Sequence, residues 1–149
     1  MDHRGIQAAL LTHAKTIGQF ERVLAHEPKS APGKGMTYAL WARHVVPVQS
    51  SGMKSTSTRL TFTGRIHLSM LAQPEDDIDI RILEGTDAVM GEYTNHFTLG
   101  GLVRCVDLLG MSGVALATDF GYIELDKTWF RVATVTIPLI VDHVWVQTP

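Results

Sequence analysis

The residues with the most obvious chemical promise are 28–37, PKSAPGKGMT, where Gly33 and Gly35 flank Lys34. A phosphate-binding loop needs a glycine, four residues, then Gly-Lys-Ser/Thr, following a strand and opening a helix. Counting back five from Gly33 reaches Pro28, and Lys34 is followed by Gly35 rather than a hydroxyl residue. What comes next reads as a strand, so no helix N-terminus faces a phosphate. The stretch is expected to be a flexible surface loop. The seven histidines are His3, His13, His26, His44, His67, His96 and His143. No two of them share the i, i+4 helical or i, i+2 strand spacing that pre-arranges metal ligands. His67 also stands beside Arg65, whose charge repels a cation. Glu75, Asp76, Asp77 and Asp79 lack the glycine and spaced oxygens of a calcium loop. Cys105 has no base near it in sequence and reads as a strand residue of the core. No G-x-S-x-G elbow is present. These signals point to no catalytic residue, no cofactor and no metal.

The elements that position these residues follow from periodicity. Residues 2–18 predict a helix capped by Asp2 and stopped by Gly18, with Ile6, Leu10, Ala14 and Ile17 on one stripe. FERVLAHEP predicts a short extended segment closed by Pro28. A strand is expected from Met36 to Val46, with Met36, Tyr38, Leu40 and Ala42 on one face and Trp41 and Arg43 on the other. RLTFTGRIHLSML alternates strictly. Leu60, Phe62, Ile66, Leu68 and Met70 occupy one face, and Arg59, Thr61, Thr63, Arg65, His67 and Ser69 the other. That is the pattern of a sheet with one face on a core and one polar face. Pro74 opens a second helix whose acidic first turn complements the dipole. Its buried stripe is Ile78, Ile82, Val89, Met90 and Tyr93. Three strands are read after it: LVRCVDLLG, VALATDFGYIELD and the long TWFRVATVTIPLIVDHVW. Pro138 in the last argues for an edge position or a bulge. The order α, β, β, β, α, β, β, β implies a single α+β domain over residues 1–149, a mainly antiparallel β-sheet flanked by two helices.

Composition excludes several classes. The chain has 149 residues, 45% hydrophobic and 19% charged, with a net charge of −2. It has no basic surplus of the kind that marks a nucleic-acid binder. One cysteine rules out an internal disulfide framework. No apolar run reaches the roughly 18 residues of a membrane span, so no membrane partner is expected. The first twenty residues, interrupted by His13 and Lys15, do not read as a signal peptide, and assembly in the cytoplasm is expected.

Three stretches carry a family resemblance: FERVLAHEPKSAPGKGMTYALWA, FTLGGLVRCVDLLG, and the aromatic-rich hairpin GYIELDKTWFRVATVTIPLIVDHVW. Over its whole length the chain resembles the small tail terminator (tail completion) proteins of long-tailed bacteriophages, especially those of actinobacterial hosts. These are patterns of a structural family, without a catalytic signature. The resemblance implies a virion protein and not an enzyme. It implies a homo-oligomer, a hexameric ring that caps the tail tube protein and ends tube polymerisation. It also implies a surface for the head-side connector protein and a lumen through which DNA passes without sequence-specific binding. A ring requires heterologous interfaces, two different patches on every subunit. On physical grounds, Lys29, Lys34, Met53 and Lys54, in two basic glycine-containing loops, are expected to touch neighbouring subunits or the tube. Trp41, Arg43, Arg59, Arg65 and His67 are the interface candidates on outward strand faces. The alternatives are another neck or connector protein of the same particle, and a small-molecule-binding sandwich or hydrolase.

Overall fold

The structure is a computed structural model that describes residues 1–51 and 54–148, the side chains of Ser50 and Ser51 aside. Its elements are α1 (His3–Ile17), β1 (Arg22–Leu24), β2 (Thr37–Ser51), β3 (Ser55–Ser69), α2 (Ile78–Asn95), β4 (Cys105–Val106), β5 (Ala117–Leu125) and β6 (Thr128–Trp145). The strands form one sheet in the order β1-β2-β3-β6, with β4 and β5 both on the far edge of β6. Only the β1–β2 pair is parallel. This is the α+β fold, a largely antiparallel sheet with two helices, that the patterning implies.

The local chemistry explains the helix ends. Asp2 accepts a hydrogen bond from the Gly5 N–H at 2.9 Å, and Gly18 closes α1 in the left-handed region at φ 73°. Ile6, Leu10 and Ala14 are buried against Tyr38, Leu40, Leu60, Phe62, Ile66 and Leu68 of the sheet. Ile78, Ile82, Val89 and Tyr93 of α2 join the same core. Both helices therefore cover one face. They are tied at depth by Tyr93, whose hydroxyl donates to the Leu10 carbonyl (3.1 Å) and meets the Tyr38 hydroxyl (2.9 Å). Burial pushes both phenol pKa values far above the ordinary range, so the pair stays neutral.

The second face corrects the sequence reading. β3 is flanked by β2 and β6, and Thr61, Thr63, His67 and Ser69 on its polar side are buried. Two connections cover this side. Parallel neighbours such as β1 and β2 need a crossover, and residues 25–36 supply it. Glu27 reaches toward Arg65 (4.0 Å), the Ala31 N–H donates to Asp126 beyond β5 (2.8 Å), and Pro32 is buried. The stretch expected to be a free loop is a strap across the sheet. The second cover is 107–116, between β4 and β5, which meets the sheet where Arg59 donates to the Ser112 carbonyl.

Other expectations shift with the register. β2 runs past Val46 to Ser51 with a bulge between Ala42 and His44, and Ala42, although paired with Phe62, is exposed. Met70 lies beyond the end of β3 and is exposed. LVRCVDLLG keeps only Cys105 and Val106 as strand, because Asp107 folds the rest back on itself. Pro138 is in an interior strand, not at an edge. Its carbonyl accepts from the Asp107 N–H (2.8 Å), so its missing N–H points to the side where β5 has ended at Thr136 and β4 begins at Leu139. No ladder bond is lost there.

Gly64 makes room for the core. A Cβ placed on it would lie 2.2 Å from the hydroxyl of fully buried Tyr38. We expect Gly64→Ala to cost about 1–3 kcal/mol by overpacking, read as a lower urea midpoint at unchanged m-value.

Candidate interaction surface

Two regions carry side chains that the core does not use. The first is the outer hairpin β5–β6. Its two-residue turn, Asp126-Lys127, has φ 50° and 61°, the twist that matches paired strands. The register sets Tyr122 opposite Arg131 and Glu124 opposite Trp129. Phe120, Tyr122 and Trp129 are large, exposed and on the same face. Arg131 lies between them, its guanidinium 4.6 Å from the Tyr122 ring and 5.8 Å from Phe120. Arg131 also donates to Asp79 of α2 (2.9 Å), which holds the patch against the helix layer. Clustered aromatics around an arginine are the composition of an interface hot spot. Sequence reasoning noticed the aromatic hairpin but placed no interface residue on it.

The second region is the 107–113 turn. Buried Asp107 accepts from the backbone N–H groups of Gly110 (3.0 Å), Met111 (2.9 Å) and Ser112 (2.7 Å), and from the Ser112 hydroxyl. Burial alone would raise its pKa, but these donors outweigh it and hold Asp107 below the usual carboxylate range. The turn so fixed lifts Leu109 and Met111 into solvent, 87% and 91% exposed. Beneath it, Val48, Gln49, Cys105 and Ile140 line a groove of about 460 Å³. Cys105 is half-buried, and burial first, then the Asp107 charge, pushes its thiol pKa up. That is the opposite of an activated nucleophile.

The sequence-derived candidates divide. Trp41 and Arg65 stack on the strap side of the sheet, 5.3 Å apart, and Arg65 Nε donates to Thr134 (3.0 Å). Arg43 and Arg59 line one shallow recess with His44, Thr61, Val114 and Thr136. These four are brought onto one side, although Arg59 and Arg65 are half-buried and bonded within the chain. Lys29 and Lys34 are exposed on the strap, and Lys54 is exposed in the β2–β3 turn. Met53 lies outside the described residues. His67 is a correction. It is 1% exposed, edge-on to Phe130 at 6.3 Å, and offers nothing to a neighbour. A further grouping is not visible in the histidine spacing. His13 on α1 meets Glu92 and His96 at the end of α2, a cluster that pairwise histidine spacing passes over because its centre is a glutamate.

No protein-family model matches this chain, and no curated protein matches it significantly. Among the described residues, no helix is long and apolar enough to cross a membrane.

Two outcomes follow from these geometries. Burial, then the Arg65 charge, lowers the His67 pKa to about 4, against an opposing pull from the Thr37 and Arg65 backbone. The unfolded chain protonates near pH 6.5 and the native one does not. The His67 contribution is thus intact above about pH 6.5, falls as pH drops toward 4, and levels off below. The loss is on the order of 3 kcal/mol at 1.4 kcal/mol per unit. His67→Leu should flatten urea midpoints across that window, and an unchanged slope would count against this account. Separately, Asp107→Ala strands several donors and should cost about 2–3 kcal/mol. Faster protease cleavage within 107–116 would show that the loop loosens first.

Proposed function

We propose that this protein is a ring-forming structural component of a long-tailed bacteriophage, the tail terminator that caps the tail tube at the head-proximal end. The reading rests on the resemblance of its three signature stretches and on one structural observation. Each subunit has two unlike sheet margins. Among the described residues, β5 pairs on one side only, and β2 beyond Ala39 has no strand on its outer side. The β5 margin carries Phe120, Tyr122 and, across the hairpin, Trp129. The β2 margin carries Arg43 and the Trp41–Arg65 stack on the strap side and exposed Val45 on the helix side. Two strands separate the margins, about 14 Å at about 4.8 Å per step. Two different patches on one subunit are what a closed heterologous ring requires, and a bare edge is a template for strand addition.

In this reading the β5–β6 patch of one subunit meets the β2 margin of the next. Six subunits close around a lumen through which DNA passes, and the ring faces present the tube and connector surfaces. Lys29, Lys34 and Lys54 are exposed and available to those partners. The protein acts without catalysis and resides in the virion. A neck or connector protein of the same particle would share the ring logic and differ in its partners. A ligand-binding reading has one feature in its favour, a recess of about 540 Å³ that Lys34, Arg81, Gln73 and Phe130 help to line.

Mass photometry of purified protein should find hexamers, alone or with tail tube protein added. Phe120→Glu with Tyr122→Glu should give a folded monomer that fails to stop tube growth. A wild type that stays monomeric with tube protein present and lets tubes extend would overturn the proposal. If its melting temperature also rose with a small anionic ligand, the recess reading would take its place.

A further inference from the structure

We propose that His13, Glu92 and His96 form a binding site for a divalent transition-metal ion of the zinc type, joining α1 to the end of α2. Glu92 and His96 are one helical turn apart and share a face, with His96 at the C-cap of α2. His13 follows Leu10 by three residues and so flanks the buried stripe of α1. The Tyr93 bond to the Leu10 carbonyl fixes the two helices one turn away.

The geometry suits a small cation. Glu92 Oε2 lies 3.1 Å from His13 Nδ1 and 3.3 Å from His96 Nδ1. The three donor atoms all fall within 4.8 Å of one another. A tetrahedron with metal–ligand bonds of about 2.0–2.1 Å has edges of about 3.3 Å, so both nitrogen–oxygen distances already approximate ligand edges. Two imidazoles and one carboxylate are a donor set for zinc or a neighbouring metal, not for calcium or magnesium. Three protein ligands leave room for water. The His13 and His96 rings stack at 4.3 Å between centroids. Protonating both would set two cations face to face across one carboxylate, whereas a single dication satisfies all three groups. His96 Nδ1 also lies 3.1 Å from the Glu92 carbonyl oxygen, so a cation competes with one hydrogen bond there. His13 and Glu92 are half-buried, which limits solvent screening.

The site is independent of the ring reading, and its test needs no partner. Zinc chloride is titrated into the chelator-treated full chain by calorimetry and by thermal melting. One equivalent should bind, and the midpoint should rise by about 8 °C at about a hundred times Kd. Cobalt(II) should develop visible d–d absorption that zinc displaces. Glu92→Gln, which keeps the side-chain shape, and His13→Gln should each weaken binding by about tenfold or more and lower the cobalt band at the cobalt concentration that half-saturates the wild type. Far-ultraviolet circular dichroism checks that both variants are folded. No zinc-dependent shift in the wild type would overturn the proposal, leaving the cluster as a histidine–carboxylate hydrogen-bond network. Equal shifts in wild type and both folded variants would overturn it too, by placing the metal elsewhere.

Discussion

The β3–β6 pair lies inside the sheet, between β2 on one side and β4 and β5 on the other, so both faces of the pair have to be covered. Apolar Leu60, Phe62, Ile66 and Leu68 take the helices on one side. On the other side the side chains are mostly small and polar, and among the described residues no third α-helix covers them. Connections do that work instead: the 25–36 crossover lies over one end and the 107–116 turn over the other. Their anchors are polar and few. Ala31 to Asp126, Glu27 to Arg65 and Arg59 to Ser112 stitch the covering to the sheet. A layer held by such bonds is the part of a domain most able to open without global unfolding.

Interaction potential collects where this covering stops. Arg131 bridges the aromatic rings of the outer hairpin to Asp79, so the patch is held by the helix layer behind it. The Asp107 turn is shaped internally by backbone donors and displays Leu109 and Met111. In both places an apolar surface that water disfavours is backed by polar bonds within the chain. Such preorganisation lowers the entropic cost of association.

Much of this was legible in the sequence. α1 could be delimited to the residue because a cap at Asp2 and a left-handed glycine at Gly18 are local chemistry, and the order of elements followed from periodicity. What failed was the step from polarity to exposure. Threonines opposite a hydrophobic row suggest a wet face, but Thr61 and Thr63 are short enough to be roofed by neighbours, and His67 is buried neutral. Burial of that kind is decided by a crossover whose path depends on β1 pairing parallel to β2, a non-local fact. Asp107 was hidden for a related reason. Its four donors follow it within five residues, but LVRCVDLLG has the hydrophobic content of a strand and masks the turn. The Arg131 patch and the His13–Glu92–His96 group join residues 52 and 79 positions apart, a proximity that only the packing of α2 creates.

Pro138 has one more consequence. It lies where β6 passes from one outer partner to the other, with no N–H to offer there. Were β5 to slide two residues along β6 in that direction, the pairing would require the donor that proline lacks. At the other end, the two-residue turn at Asp126-Lys127 leaves no slack. The hairpin is therefore locked in phase from both ends. Its outer edge keeps a fixed position relative to Phe120, Tyr122 and Trp129, so a strand added there has its register chosen by side-chain fit to that patch and not by movement of the hairpin itself.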